Sequence, residues 1–370
     1  MNIYKKILNK IKRVYDISLD FLQDLFLIGF DYSIVNFKLH GIFKKKIFLK
    51  KYYFFKKIKN LKNSKKNKKE ICKFFELYYS YLFYRFYGTF EKTIEFRKKL
   101  LKFDVGNVFT VKKYEKIKYE LYFENNLYSE ILKSNFKNHN CYHLSNLFIE
   151  GFNELSDNYN KNFFNYIKNK KIKFIGPGTK IEPEKKYIND DSVKVTINAN
   201  HKIISDLKPH IVYFNNKRSR EHPEQVANSF LNSDWTVFKS KEFHDICKKN
   251  TNIKNNARYL DDFQFSNFFG DYNYLPLVLM DLLIHGAKHV YIESIDFFTL
   301  KNPYNNHYRE KKDYDKYTIL RSNRLHDPFK TYLFVKYLFK KNYVSGDQYF
   351  EQVIQMNDNE YAKLLDRNYA

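Results

Sequence analysis

Cysteine is almost missing from this chain: three residues in 370, at Cys72, Cys141 and Cys247. They are far apart, odd in number and nowhere spaced as C-x-x-C. That excludes a disulfide scaffold and a thiolate zinc site, and it fits a reducing compartment. Ten glycines and seven prolines are too few for a linker-rich or low-complexity protein. Long clean hydrophobic runs are missing too. The best stretch, Phe21 to Phe37, carries Asp24 and Asp31 and is rejected as a span at that length. The start, Met1-Asn2-Ile3-Tyr4-Lys5-Lys6, lacks the apolar core of a signal peptide. The expected location is therefore the cytoplasm, either free or peripheral on the inner face of the plasma membrane. Acidic residues are also scarce: 41 against 66 Lys and Arg, for a formal net charge of +25.

Hydrophobic residues are plentiful at 44%, and aromatics reach 19%. That is enough for a sizeable core, in two domains or in one large domain with an extension. The positive charge has two readings. One is a basic surface for nucleic acid, anionic lipid or a phosphorylated substrate. The other is codon bias, since the chain is flooded with Lys, Asn, Ile, Phe and Tyr. Most of the excess is Lys, a diffuse point charge, where specific phosphate or base readout favours the Arg fork. The total is assigned to composition, and function is sought in local clusters.

Ile3, Ile7, Ile11 and Val14 share one face of a short helix whose other positions are basic. It reads equally as a membrane-surface anchor or as an ordinary surface helix. From Phe43 to Lys69 Lys runs alternate with aromatics, as in Lys50-Lys51-Tyr52-Tyr53-Phe54-Phe55-Lys56-Lys57. Such interleaving suits base stacking on single strands or seating among lipid headgroups. No RNP, KH or helix-turn-helix pattern supports specific nucleic-acid binding. Glu70 to Leu101 reads as helical, a helix pair broken at Gly88, and Phe109 to Phe123 as a short hairpin. The polar break Ser156-Asp157-Asn158-Tyr159-Asn160 divides a mainly helical, basic aromatic region, 1–160, from a second domain, 161–370. The first region is assigned to membrane or acceptor association, or to homo-oligomer formation.

After Lys170 strands alternate with helices. Strands are expected at Ile172–Ile175, Val193–Ile197, Ile211–Phe214, Trp235–Phe238 and His289–Ile292. Helices are expected at Leu275–Ile284 and His326–Phe339. This order predicts an α/β fold with a doubly wound parallel sheet, whose ligands bind at the carboxyl ends of the strands. The first strand runs into Gly176-Pro177-Gly178-Thr179. Glycine there removes the Cβ that would keep backbone N–H groups from a phosphate, although the turn is neither G-x-G-x-x-G nor a P-loop. Asn198 and Asn215 end the next two strands, and Asn carries both a donor and an acceptor for a pyrimidine edge or a ribose hydroxyl.

The order of these blocks resembles the bacterial sialyltransferases of glycosyltransferase family 42. There the first strand ends in Gly-Asn-Gly-Pro-Ser, the second in Cys-Asn or a similar pair, and the third in Tyr-Asn. An apolar helix then leads through a Gly-Tyr-Lys-Glu-Ile-Tyr-like strand into Gly-Ile-Asp-Phe-Tyr. This chain has Gly176-Pro177-Gly178-Thr179, Asn198 and Phe214-Asn215. It then has His285-Gly286-Ala287-Lys288-His289-Val290-Tyr291 running into Ser294-Ile295-Asp296-Phe297-Phe298. The resemblance covers roughly Lys171 to Tyr343. It departs at the first turn, which lacks the family's Asn, and at Phe298, which replaces a phosphate-contacting Tyr. No equivalent of the family's Arg and Ser precedes the apolar helix.

The resemblance implies a Rossmann-like, GT-A-variant sheet with flanking helices and a lid. It implies inverting transfer of a sialic acid-like or other acidic sugar from a CMP-activated donor to a cell-surface glycan or lipid-linked glycan. No metal and no other cofactor is implied. The nucleotide would lie against Gly176, Pro177, Gly178, Thr179, Asn198, Asn215, Ser294 and Asp296. Tyr304, in the lid, would contact the donor phosphate. His326, at the mouth of a helix, would be the general base, with His307 as second choice. The chemistry suits these types: leaving-group charge needs hydroxyls or N–H groups, and an acceptor hydroxyl needs a base of near-neutral pKa. Asp313-Tyr314-Asp315 spells D-x-D, a cation-binding pattern in other transferases, but among Lys311, Lys312 and Lys316 it reads as chance. A CMP-Kdo-type transferase, or a non-catalytic nucleotide- or glycan-binding relative, is the alternative.

Overall fold

A computed structural model describes residues 66–104, 115–125, 127–133, 145, 148–149, 161–178, 191–250, 256–260, 273–300 and 327–369. The basic amphipathic start, most of the Lys–aromatic run, the segment 151–160, Thr179 and the expected lid with Tyr304, His307 and His326 lie outside these residues.

The aromatic stretch is a helix pair, α1 (Lys66–Tyr87) and α2 (Phe90–Leu101). On α1 Phe74, Phe75, Tyr78, Tyr79 and Leu82 are buried, at the spacing of one helical face. Gly88 breaks the pair, because a Cβ there would lie 2.4 Å from Tyr84 Cδ1. The start of α2 is capped twice. The Thr89 hydroxyl accepts from Lys92 N. The carboxylate of Asp366, far along the chain, accepts from Phe90 N at 2.6 Å and Glu91 N at 3.0 Å. A carboxylate is favoured at the positive end of a helix.

The expected hairpin over Phe109–Phe123 is overturned in its described part, which is helical: α3 (Glu115–Glu124), followed by α4 (Tyr128–Leu132). No Gly, Pro, Asn or Asp stands between Phe109 and Phe123 to make a hairpin turn. The helix also brings Glu124 to two buried cations, as described below.

Helix α5 (Lys161–Ile167) leads into β1 (Lys171–Ile175). Strands β2 (Val193–Ile197), β3 (Ile211–Phe214), β4 (Trp235–Phe238) and β6 (His289–Glu293) fall where the sequence places them, give or take a residue. Two three-residue strands, β5 (Ala257–Tyr259) and β7 (Val344–Gly346), are additions. Together they form one seven-stranded sheet in the order β5-β4-β3-β2-β1-β6-β7, with every pairing parallel. With helices on both faces this is an α/β, Rossmann-like arrangement.

One face packs Phe174, Val195, Tyr213, Val237 and Ile292 against α10 (Tyr274–Ile284) and α11 (Pro328–Lys340). Every α10 side chain from Leu275 to Ile284 is buried. Each Leu or Val there contributes roughly 1.5–3 kcal/mol. The other face packs Val212, Phe214 and Phe238 against α6 (His201–Leu207), α8 (Pro223–Asn232) and α9 (Lys241–Asn250), through Ile204, Val226 and Phe243. A short α7 (Asn216–Glu221) precedes α8, and α12 (Gln348–Gln355) and α13 (Asp358–Tyr369) follow β7. Phe90, Ile94, Phe123 and Ile131 belong to the same apolar cluster as the sheet, so α2, α3 and α4 share its core. Among the described residues no helix is long and apolar enough to cross a membrane.

Candidate functional site

The chain lays down β1 to β5 in one direction, then returns to place β6 on the other side of β1. The order therefore reverses between β1 and β6. A crevice outside the carboxyl ends of the strands opens at such a switch point, and ligands of doubly wound folds bind there. The segments leaving β1 and β6 are Gly176-Pro177-Gly178 and Ser294-Ile295-Asp296, two of the blocks singled out in the sequence.

These two segments are bound to each other. Gly176 N donates to Glu293 O and Gly178 N to Ser294 O, both at 2.8 Å. The amides expected to face a phosphate are thus committed within the fold. The glycines serve this docking: a Cβ on Gly178 would lie 2.4 Å from Ser294 O, and one on Gly176 2.6 Å from the same atom. Beneath them Lys173 pairs with Glu293 at 2.9 Å, both side chains largely buried, so the strand end carries no net charge from this pair.

Asn198 and Asn215 meet at the ends of β2 and β3. Asn198 adopts a left-handed φ of 49°, and its Oδ1 accepts from Asn215 N at 2.9 Å. Asn215 Oδ1 in turn caps α7, accepting from Arg218 N at 2.7 Å. Each side-chain oxygen thus has a structural duty, and the Nδ2 groups make no hydrogen bond to other described residues. Tyr274 reaches the same edge, its hydroxyl donating to Phe214 O at 2.8 Å, a role the sequence reading missed.

Asp296 is 8% exposed. Its Oδ1 accepts from Phe298 N at 3.0 Å, and its Oδ2 has no hydrogen-bond partner among the described residues. Burial pushes its carboxyl up to about 7, against the partial relief of the Phe298 and Leu300 backbone N–H groups. The ionisable neighbours it influences are Tyr349 and Tyr361. A carboxyl near neutrality at a switch point marks a functional-site candidate.

The sign of the pH effect follows. A raised folded pKa means that the native state holds the proton more tightly than the unfolded chain. That stability is complete below about pH 4 and is lost as pH rises through about 7. At 1.36 kcal/mol per pKa unit the loss is at most about 4 kcal/mol. Asp296→Asn cannot ionise, so the difference between the urea stabilities of variant and wild type should move in the variant's favour from pH 4 to pH 8. A difference independent of pH would show that Asp296 titrates normally.

A second polar concentration sits at the start of α11. Asp327 Oδ1 caps that helix, accepting from Phe329 N and Lys330 N. Its Oδ2 accepts from the Tyr81 hydroxyl at 2.7 Å and from Arg97 Nη1 at 3.5 Å. Arg97 Nη2 donates to Glu124 Oε2 at 2.5 Å, and Lys330 Nζ pairs with Glu124 Oε1 at 3.0 Å. Burial lowers the Lys330 pKa, partly offset by Glu124. Burial, and then Asp327, raises that of Tyr81. His326 precedes this cap by one residue in sequence.

Two further histidines, His285 and His289, are tied into the fold. His285 Nδ1 lies 2.7 Å from Asp281 O. The Asp281 carboxylate is held by Arg258 and Tyr213, each at 2.6 Å. Burial opposes its ionisation, and Arg258 and His285 outweigh that and hold its pKa low. His289 bridges Ser345 Oγ and Asn342 O. Among the described residues no cluster of three or more His, Cys, Asp or Glu is placed to hold a metal ion. Comparison with protein-family models, with curated proteins and with solved structures finds no match to this chain.

Proposed function

We propose that the chain is an inverting glycosyltransferase that moves a sialic acid-like or other acidic sugar from a CMP-activated donor to a glycan acceptor. The observation that carries this reading is the position of the switch point. The β1 and β6 blocks that resemble the sialyltransferases, far apart in sequence, flank the one place in the sheet where the fold predicts a ligand. The paired Asn198 and Asn215 extend that edge along β2 and β3, with two amide donors to offer a base or ribose. Phosphate binding then falls to groups other than the Gly176 and Gly178 amides. A non-catalytic nucleotide-binding relative is the second reading, favoured by those committed amides and by Phe298, which has no hydroxyl.

A nucleotide thermal-shift screen tests both. CMP is expected to raise the melting temperature, since a ligand bound only by the native state stabilises it. Asn215→Asp keeps the helix cap, loses the amide donor and brings a negative charge toward the phosphate, so it should shrink the CMP-induced shift. Asn250→Asp, on another helix, should not. Stabilisation by UDP or GDP alone, or equal behaviour of the two variants, would sink the donor assignment. A CMP shift with no transfer to any acceptor would favour the second reading.

A further inference from the structure

The loop that leaves β6 is unusually contorted. Ser294, Phe297 and Phe298 have φ values of 59°, 49° and 64°, and none is glycine. Left-handed backbone is costly for side chains of this size and persists only where the surroundings over-determine it.

The surroundings here are the last two described helices. From α12, Asp347 Oδ2 accepts from Ser294 N at 2.8 Å, and the Tyr349 hydroxyl meets Thr299 Oγ1 at 2.8 Å. From α13, the Tyr361 hydroxyl donates to Phe297 O at 2.8 Å, Asn368 Nδ2 to Thr299 O, and the Tyr369 hydroxyl to Leu300 O at 2.7 Å. Positions 361, 368 and 369 share one face of a helix. Three carbonyls within four residues of the loop are therefore held by one helical face. Inside the loop Phe298 N and Thr299 N both donate back to Asp296, to Oδ1 and to the main-chain oxygen.

We propose that α13 is a clamp on the loop that leaves β6, with Tyr361, Asn368 and Tyr369 as positioning residues that hold Phe297 to Leu300 in shape beside the β1/β6 switch point. Its consequence for ligand binding rests on the nucleotide reading above. Its structural core does not. Without the clamp the loop relaxes toward ordinary backbone angles, and Asp296 loses the enclosure that raises its pKa.

The test is amide hydrogen exchange on the full chain, followed by thermal shift with CMP as the probe. Tyr361→Phe combined with Tyr369→Phe removes two hydroxyls and keeps both rings. Each bond contributes enough that the pair should speed exchange at Phe298 and Thr299 about tenfold or more. Tyr332→Phe is the control: its hydroxyl also donates to a backbone carbonyl, Met356 O, but not to the loop. Loop exchange that rises no more in the double variant than in this control overturns the proposal. Where the wild type does shift with CMP, an equal shift in the double variant overturns the clamp's part in ligand binding. A wild-type chain that shows no shift with CMP overturns the nucleotide reading and leaves the clamp to stand or fall on the exchange result.

Discussion

His326→Asn is expected to slow sugar transfer roughly a hundredfold to ten-thousandfold, the contribution of a positioned general base. Affinity for CMP should barely change, because a base faces the acceptor and not the donor phosphate. Asn keeps the polarity and approximate size of the side chain but cannot take a proton near pH 7. The residue that follows, Asp327, is the fixed start of α11, capped and held by Tyr81 and Arg97. The positive end of a helix favours the neutral, proton-accepting form of an imidazole placed against it. The measurement is CMP release from a CMP-activated acidic sugar in the presence of a glycan acceptor. If His307→Asn is slow and His326→Asn is not, the lid histidine is the base. If neither matters, a carboxylate takes the proton or the chain is not an enzyme of this class.

Arg97→Met is expected to cost about 3–5 kcal/mol of stability, the usual penalty for breaking a buried ion cluster by removing one partner. Arg97 is 1% exposed and bridges Glu124 and Asp327. Its loss leaves two buried carboxylates sharing Lys330. Arg97→Lys should recover only part, since an ammonium lacks the guanidinium fork that reaches both acids. Adding Glu124→Gln to Arg97→Met should restore some stability by removing one uncompensated charge, and a double-mutant cycle reads that coupling. Urea unfolding is the measurement. A cost below about 1 kcal/mol, typical of an exposed pair, would mean that the cluster is hydrated.

Much of the sheet was legible because β1, β2, β3, β4 and β6 are four- or five-residue runs rich in Ile, Val, Phe and Tyr, most of them closed by Gly, Asn or Ser. The edge strands β5 and β7 were not. Ala257-Arg258-Tyr259 has an arginine at its centre, tolerated only because Asp281, on α10, neutralises it. Val344-Ser345-Gly346 is too short to show a period. The expected hairpin fails because no turn residue separates Phe109 from the apolar alternation at Tyr119, Leu121 and Phe123. Order along the chain was enough to place Gly176, Gly178, Ser294 and Asp296 just beyond the ends of β1 and β6. Their chemistry was not readable, because it is set by distant groups. Ser294 O takes up the Gly178 amide, Asp347 holds Ser294, and the α13 hydroxyls hold the loop that buries Asp296. No local pattern carries that information.

The cap that Asp366 places on α2 has a consequence for biosynthesis. Asp366 lies 276 positions after Phe90. At translation rates of about 5–20 residues per second that separation is roughly 15–55 s. Helix formation takes about a microsecond, and hydrophobic collapse at most about 100 µs. Throughout that interval the amino end of α2 has only the local cap of Thr89, and the carboxylate half of its double cap is still to be made. Assembly is completed by the last described helix, which seals the first described helices and the β6 loop together.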